Sequence, residues 1–170
     1  TPNMSISGVK SANYLLTQPL NTIANITAKE LTVSGAVASA KIYDGNTDAV
    51  ISGATLVGVV GSEDVLLATK TAGTFVSPDV ANGIGVKPVM TLIGAAIGNY
   101  TLTQPTLSAN ITPKELTVTG AVANNKIYDS TTGATFSGAT LVGIVGTDDV
   151  VLHPTGTFAN KNTGIGITVT

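Results

Sequence analysis

The 170-residue chain contains no cysteine, no tryptophan and no arginine, and it has a single histidine. Without cysteine it cannot carry a thiolate nucleophile, a disulfide framework, Cys-ligated zinc or an iron–sulfur cluster. Without arginine, and with a formal net charge of -2, it has no basic patch that would bind phosphate groups. We therefore expect no binding to nucleic acid.

Charged residues and long apolar runs are also scarce. Charged residues make up 11% of the chain, less than half of the ~25% that is usual for soluble domains. The most apolar stretch, residues 49–62, is shorter than the ~18 residues that a membrane helix needs, so we expect no membrane insertion. Residues 1–10 lack the basic start and apolar core of a signal peptide. Composition alone leaves the compartment open.

The dominant feature that is present is an internal repeat. The segment 26–33 returns at 111–118, and Lys-Ile-Tyr-Asp at 41–44 returns at 126–129, in both cases 85 residues later. This period is longer than the ~20–50 residues of solenoid coils and helical repeats. It is close to the ~100 residues of an immunoglobulin-like sandwich, so the repeat predicts a string of small independent domains.

The repeat also divides the chain into three parts. Residues 1–28 match only the closing part of a unit, and we interpret them as the closing strands of a preceding repeat. Residues 29–113 form one complete unit. Residues 114–170 begin a second unit and contain no counterpart of its closing strands. The junction near Pro113 has no flexible spacer, which favours a semi-rigid connection between the units.

Apolar and polar residues alternate with a period of two in several segments, which is typical of half-buried strands. Leu31 and Val33 share one predicted face, and Ala109 and Ile111 share another. The apolar runs 56–60 and 65–67 flank a predicted hairpin turn. No long window keeps a helical stripe, so the predicted fold class is all-β, with tandem antiparallel immunoglobulin-like β-sandwich domains.

One segment has the residue types of a calcium loop. Residues 44–48, Asp-Gly-Asn-Thr-Asp, place oxygen ligands at alternate positions. The second copy at 129–133 keeps only the first acid, however, and no glycine follows Asp48. We therefore favour a solvated turn over a metal site.

Several other groups have the residue types of a reactive or binding site, but a structural role explains each of them more simply. They are the adjacent acids Glu63-Asp64 and Asp148-Asp149, the lone His153, the residues of a conceivable Lys–Asn isopeptide bond (Lys29, Lys114, Asn99, Asn110), and Tyr43 and Tyr128 as sugar-stacking aromatics. No nucleophile, base and orienting acid occur together, as catalysis would require. The sequence therefore predicts no catalytic, cofactor-binding or metal-binding residues, no cofactor, and no enzymatic activity.

The order of these motifs resembles a known module. Leu-Thr-Val-Ser-Gly at 31–35, Lys-Ile-Tyr-Asp-Gly at 41–45 and Gly-Asn-Tyr-Thr-Leu-Thr-Gln-Pro at 98–105 are similar to the YDG-type repeat. That repeat occurs among immunoglobulin-like modules of filamentous-haemagglutinin-like bacterial surface adhesins. The second copy departs from the pattern with Ser130 in place of the glycine.

The resemblance implies a structural repeat segment of an extracellular bacterial adhesin stalk or filament, forming a semi-rigid rod at the cell surface. Two alternatives stay open. In one, chains polymerise by donor-strand complementation; in the other, the module binds glycans. The expected partners are neighbouring copies of the same repeat, joined covalently or by strand complementation, and a possible host or matrix glycan.

Overall fold

A computed structural model describes residues 3–170 and is all-β, as the alternation of apolar residues predicts. Helix is limited to two short 3-10 turns, Ser11–Asn13 and Ile97–Asn99. The first repeat contains β1 (Lys29–Ser34), β2 (Val37–Ala38), β3 (Lys41–Ile42), β4 (Asp48–Ser52), β5 (Thr55–Val57), β6 (Leu66–Ala68), β7 (Ala72–Phe75), β8 (Ala81–Pro88), β9 (Thr91–Ile93), β10 (Tyr100–Leu102) and β11 (Leu107–Thr112). The second contains β12 (Thr117–Thr119), β13 (Val122–Ala123), β14 (Gly133–Ala134), β15 (Phe136–Ser137), β16 (Thr140–Val142) and β17 (Gly156–Thr157).

The first repeat is built from a six-stranded sheet, a three-stranded sheet and a two-stranded pair. The strand order is β2-β4-β7-β8-β11-β3 in the largest sheet and β10-β1-β5 in the three-stranded sheet, while β6 pairs with β9. The closing strands β10 and β11 therefore enter both larger sheets. As a result, the first repeat is complete only when its last fifteen or so residues return to its first strands.

The core of the first repeat lies between these sheets. Ile51, Phe75 and Ile111 project from the six-stranded sheet and are almost fully buried, and Val33 and Leu102 of the three-stranded sheet pack against them. A second cluster gathers Leu31, Val65 and Tyr100. The burial of alternate residues in β1 and β11 confirms the two-residue periodicity that the sequence predicts.

Two pairings among the described strands are parallel, which corrects the expectation of a purely antiparallel arrangement. β1 pairs in parallel with β10, and β3 with β11. In both cases the closing strand lies about seventy residues after its partner in the sequence. A connection of that length allows either direction, whereas only a short turn imposes antiparallel pairing.

The predicted hairpin around residues 61–64 is wrong. β5 pairs with β1, and β6 pairs with β9, so the two apolar runs enter different sheets. Asp64 explains this divergence, because its backbone and side-chain oxygens accept hydrogen bonds from the backbone N–H groups of Ala96 and Ala95. These bonds direct the chain after the turn toward the loop that follows β9.

The second repeat forms pairs of short strands. β12 pairs with β16, β13 with β15, and β14 with β17, which are the pairings that their counterparts make in the first repeat. All the core residues lie in the first repeat; every described residue after Thr112 is half-buried or exposed. The reason is visible in the sequence, because residues 114–170 contain no counterpart of β10 or β11.

Residues 3–28 contain one 3-10 turn and no strand, and their side chains are exposed apart from the half-buried Ser11. The assignment of this segment to the closing strands of a preceding repeat stays a prediction, as do the boundaries 29–113 and 114–170; residues 1 and 2 lie outside the described part. None of the helical turns between residues 3 and 170 has the length and apolar character needed to cross a membrane.

Candidate functional site

The Lys-x-Tyr-Asp motif of the first repeat forms a compact ionic turn. The Lys41 ammonium donates to the Asp44 carboxylate at 2.7 Å, to the Asn46 backbone carbonyl at 2.7 Å and to the Asn46 side-chain oxygen at 2.9 Å. The Asn46 side-chain oxygen also accepts from the Asp48 backbone N–H. On its remaining side the ammonium lies 5.6 Å from the centre of the Phe75 ring, within the range of a cation–π contact.

The second repeat builds the same arrangement. The Lys126 ammonium lies 2.8 Å from the Asp129 carboxylate and 2.9 Å from the Thr131 hydroxyl. It also lies 5.9 Å from the centre of the Phe158 ring. We call each set, Lys41-Asp44-Phe75 and Lys126-Asp129-Phe158, a lysine clamp.

The lysine clamp explains why residues 44–48 look like the start of a calcium loop. The side-chain oxygens of Asp44 and Asn46, two of those that would ligate a cation, converge on the Lys41 ammonium, which supplies the positive charge from within the chain. Sequence analysis missed the role of Lys41 and Phe75. The available signal was the recurrence of lysine three residues before aspartate in both repeats, each with a phenylalanine about thirty residues later.

Each clamp lowers the pKa of its aspartate. At Asp129, the hydrogen bond from Lys126 and then those from Thr131 bring the carboxyl pKa to about 2. At Asp44, Lys41 and the Asn46 backbone lower the pKa in the same way. Because the folded-state pKa lies below the unfolded value of ~3.9, the clamps stabilise the fold above about pH 4. That stabilisation is lost as the pH falls toward 2.

We therefore expect the urea midpoint of the chain to fall between pH 4.5 and 2, and to fall less in an Asp44→Asn/Asp129→Asn variant. Urea unfolding measured at half-unit pH steps would detect the difference. Asp149→Asn provides the control, because this exposed carboxylate lies outside both clamps. Identical pH profiles for the two variants would contradict a role of the clamps in acid stability.

The acids at 63–64 have structural partners. Glu63 accepts a hydrogen bond from the Tyr100 hydroxyl, which raises the pKa of Tyr100, and Tyr100 itself accepts from the Val60 N–H at 3.1 Å. Asp64 accepts hydrogen bonds from the backbone N–H groups of Ala95 and Ala96 in the loop after β9. The two acids thus fix the closing part of the first repeat to the turn before β6.

Asp148, the counterpart of Glu63, bonds instead to a residue of the first repeat. The Tyr43 hydroxyl donates to its carboxylate at 2.8 Å, and this bond raises the pKa of Tyr43. Nearby, a Cβ added at Gly45 would lie 3.0 Å from a Val145 methyl group. Tyr43 is half-buried against the core, as an anchoring aromatic would be, whereas Tyr128 is exposed.

The remaining candidates do not converge. His153 is exposed, the Lys29 ammonium donates to the Gly58 carbonyl at 2.6 Å, and Asn110 accepts from the Gly83 N–H at 2.8 Å. An isopeptide bond requires a buried acid beside its lysine, and no charged residue between positions 3 and 170 is buried. Within that same range, no three acidic or histidine side chains lie close enough together to hold a metal ion.

One concave surface adjoins the second lysine clamp, and we call it the open groove. It encloses about 400 Å³ on the second repeat. Its lining includes the apolar and aromatic side chains of Tyr128, Phe158, Ile165, Ile167 and Val169, together with polar side chains such as Asn125, Lys126 and Asn160. Ile165 is fully exposed, although its counterpart Ile84 is buried in the first repeat. The groove is therefore lined by both polar and apolar groups, and three of its apolar side chains have counterparts, Phe75, Ile84 and Val86, in the core of the first repeat.

The edge of this groove also differs in register from the first repeat. There, Phe75 pairs with Val86. The matching Gly-Ile-Gly sequences at 83–85 and 164–166 make Ile167 the counterpart of Val86, yet Phe158 bridges to Val169. A shift of two residues keeps the same side chains on the groove face. Such a shift in register is expected for an edge strand, because no neighbouring strand on its free side fixes the pairing.

Comparison with known proteins gives one family. The sequence model of the YDG domain matches residues 27–107 and again residues 112–170. The interval between the two matches falls within β11, the strand that closes the first repeat. No curated protein and no solved structure matches the chain.

Proposed function

The chain belongs to the YDG domain family, and we propose that it is a structural repeat segment of an extracellular bacterial surface protein. In this role, tandem modules form the semi-rigid stalk or filament of an adhesin resembling filamentous haemagglutinin. Each module is proposed to be an immunoglobulin-like sandwich. The packing of the six-stranded sheet against residues of the three-stranded sheet supports that class.

The observation that carries this proposal is the way the two repeats are connected. β11 ends at Thr112 and β12 begins at Thr117, so the strand that closes one repeat leads almost directly into the next. The Tyr43–Asp148 hydrogen bond adds a side-chain contact across the same junction. Short connections and lateral contacts favour a rod over freely jointed domains.

The signature residues support a mechanical role over a catalytic one. The lysine and aspartate of the motif form an ion pair inside each clamp, and the Tyr100 hydroxyl donates a hydrogen bond to Glu63 near the end of the first repeat. These side chains hold turns and closing strands in place. The proposed role consequently includes no reaction, no cofactor and no metal.

Single-molecule stretching of the 170-residue chain tests this proposal. We expect one discrete unfolding event for the complete repeat, with a contour-length gain on the order of 28 nm, because eighty-odd residues extend by ~3.4 Å each. Unfolding should be cooperative because the closing strands tie both larger sheets together. A smooth extension without a discrete unfolding event would contradict a module that resists mechanical force.

A glycan array separates the stalk from the glycan-binding alternative. Of the two tyrosines that could stack on a sugar ring, Tyr43 and Tyr128, only Tyr128 is exposed. We expect no glycan to be bound by the chain. Binding that is lost in Tyr128→Ala and retained in Tyr43→Phe would replace the stalk proposal with an adhesin module that recognises sugars.

A further inference from the structure

Two residues of the Lys-Ile-Tyr-Asp-Gly motif that are not part of the lysine clamp contact the second repeat. The Tyr43 hydroxyl donates to an Asp148 carboxylate oxygen at 2.8 Å. A Cβ added at Gly45 would lie 3.0 Å from a Val145 methyl group, which is the only heavy atom within 4 Å apart from those of the adjoining residues. Both contacts are made to residues 145–148, which we call the docking turn.

The docking turn is formed by interactions within the second repeat. The Asp148 backbone N–H donates to the Val145 carbonyl at 3.1 Å. The first repeat contains the same turn at residues 60–63, where the Glu63 N–H donates to the Val60 carbonyl at 3.3 Å. A glycine of positive φ occupies the second position of the turn in both repeats. The turn therefore forms with or without a neighbour, and its two copies can be compared directly.

This comparison shows that one side chain of the docking turn is covered. Val145 is half-buried, whereas its counterpart Val60 is 52% exposed. Elsewhere the second repeat is the more exposed of the two, since every described residue after Thr112 is half-buried or exposed. The contact with Gly45 supplies a physical reason for the reversal at Val145.

Tyr43 joins the end of the first repeat to the docking turn. Its backbone N–H donates to the carbonyl of Thr112, the last residue of β11, at 2.9 Å. Its ring packs against the core of the first repeat, and its hydroxyl bonds to Asp148. A single residue thus holds both the strand that precedes the connection and a turn of the repeat that follows it.

The lysine clamp fixes the backbone that carries these contacts. Tyr43 and Gly45 lie between Lys41 and Asn46, which the ammonium joins through the backbone and side-chain oxygens of Asn46. The Asp44 carboxylate accepts from Lys41 and from the Asn46 backbone N–H at 3.1 Å. Because this loop is already ordered, little conformational entropy is lost when it binds the docking turn.

We propose that residues 43–45 form the docking surface for the docking turn of the second repeat, and that this contact fixes the angle between the two repeats. Tyr43 is the anchor of the contact, and Gly45 leaves room for the docking turn. The short connection at residues 113–116 keeps the two surfaces at a high effective concentration. A small contact is then sufficient to hold them together.

The second copy of the motif supplies the variant that tests the role of Gly45. Ser130 stands at the corresponding position and has φ +61, so this turn accepts serine in the left-handed conformation. Gly45→Ser therefore keeps the turn, but it places a Cβ 3.0 Å from the Val145 methyl group and a hydroxyl beyond that Cβ. The docking turn must move away to accommodate the added atoms.

Residual dipolar couplings of the backbone amides in the full chain test the proposal, because two repeats held at a fixed angle share one alignment tensor. We expect one common tensor for the unaltered chain and a weaker alignment of the second repeat in Gly45→Ser and in Val145→Ala. Val60→Ala is the matched control, since it changes the same position of the same turn outside the contact, and it should keep the common tensor. Separate tensors for the two repeats of the unaltered chain would overturn the proposal, as would equal effects of Val145→Ala and Val60→Ala.

Titration of the tyrosine ring signals by NMR measures the Tyr43 hydrogen bond separately from the angle. The bond to Asp148, desolvation, and the charges of Asp148, Asp79 and Asp44 raise the pKa of Tyr43. We expect Asp148→Asn to lower the pKa of Tyr43 and to weaken the alignment of the second repeat, and the exposed neighbour variant Asp149→Asn to change neither. A Tyr43 pKa that is the same in all three chains would overturn the role of Tyr43 as the anchor.

Tyr43→Phe removes only the hydroxyl and keeps the ring in the core. It should lower the ratio of docked to undocked joints by about two- to tenfold, the range expected for one hydrogen bond. Tyr128→Phe is the control, because Tyr128 is the counterpart of Tyr43 and is exposed, and it should leave the ratio unchanged. Equal ratios in these two variants would also overturn the role of Tyr43.

This inference rests on the proposed function, to which it adds the residues that make the joint between repeats rigid. The two proposals nevertheless fail separately. Stretching of the first repeat depends on its own closing strands, β10 and β11. Separate alignment of the two repeats would overturn the docking surface and leave that unfolding event unchanged, whereas a common alignment without a discrete unfolding event would overturn the mechanical role alone.

Discussion

Replacing Phe75 by alanine is expected to lower the free energy of unfolding of the first repeat by about 3–5 kcal/mol, the usual cost of truncating a buried phenylalanine. Phe75 is 2% exposed and packs in the core cluster with Ile51, Val86 and Ile111. Its ring also faces the Lys41 ammonium, so the substitution weakens the lysine clamp as well as leaving a cavity. Urea unfolding followed through the amide signals of the first repeat measures the loss.

The chain supplies a matched control in Phe158→Ala. Phe158 occupies the corresponding place in the second repeat, under a lysine clamp of the same form, but it is only half-buried beside the open groove. Less apolar area is lost there, so the expected destabilisation is below about 2 kcal/mol. Similar losses at both positions would contradict the conclusion that the closing strands generate the core.

The strands could be predicted from the sequence because their periodicity is local. The alternation at Leu31 and Val33, and at Ala109 and Ile111, follows directly from the side-chain period of a strand. Sheet membership could not be predicted in the same way. The parallel pairing of β11 with β3 joins residues about seventy positions apart, and no local pattern encodes the direction of such a pairing.

The prediction of a hairpin at residues 61–64 was wrong for the same reason, because a distant contact decided the pairing. Two apolar runs separated by a polar turn indicate adjacent antiparallel strands when only nearby residues are considered. The hydrogen bonds from Ala95 and Ala96 to Asp64 come from a loop thirty residues away and direct β6 to β9 instead. A contact at that distance leaves no trace in the spacing of the apolar residues.

The candidate site was only partly predictable for a related reason. The repeat identified the counterpart segments at 13–27 and 99–112, which is sufficient to suspect an incomplete second unit. The open groove required coordinates, because its lining comes from two segments, residues 123–131 and 158–169, that no local sequence pattern brings together. The lysine clamps likewise required the position of Phe75 in space, although the lysine and aspartate were already part of the recurring motif.

Gly53→Ala is the second substitution expected to have a large effect, at roughly 2–4 kcal/mol of unfolding free energy. Gly35 and Gly53 face each other where the chain passes from β1 to β2 and from β4 to β5, and so changes sheet in two adjacent places. Gly53 has φ +73, and a Cβ there would lie 2.4 Å from the Gly35 carbonyl oxygen. The substitution therefore adds a backbone clash to the strain of a left-handed residue, and the two sheets must separate at this corner to relieve it.

Gly61→Ala isolates the conformational part of this cost, because Gly61 has φ +57 and nothing lies within 4 Å of its added Cβ. We expect that control to lose about 1 kcal/mol, as measured by urea unfolding under identical conditions. Equal losses of unfolding free energy in Gly53→Ala and Gly61→Ala would mean that the close contact between Gly35 and Gly53 does not determine where the chain changes sheet. Gly120 and Gly138 form the same close pair in the second repeat. A large difference between Gly53→Ala and Gly61→Ala would therefore show that the glycine pair places the strands of each repeat in two sheets. Closing strands can complete a repeat only when its opening strands have this arrangement.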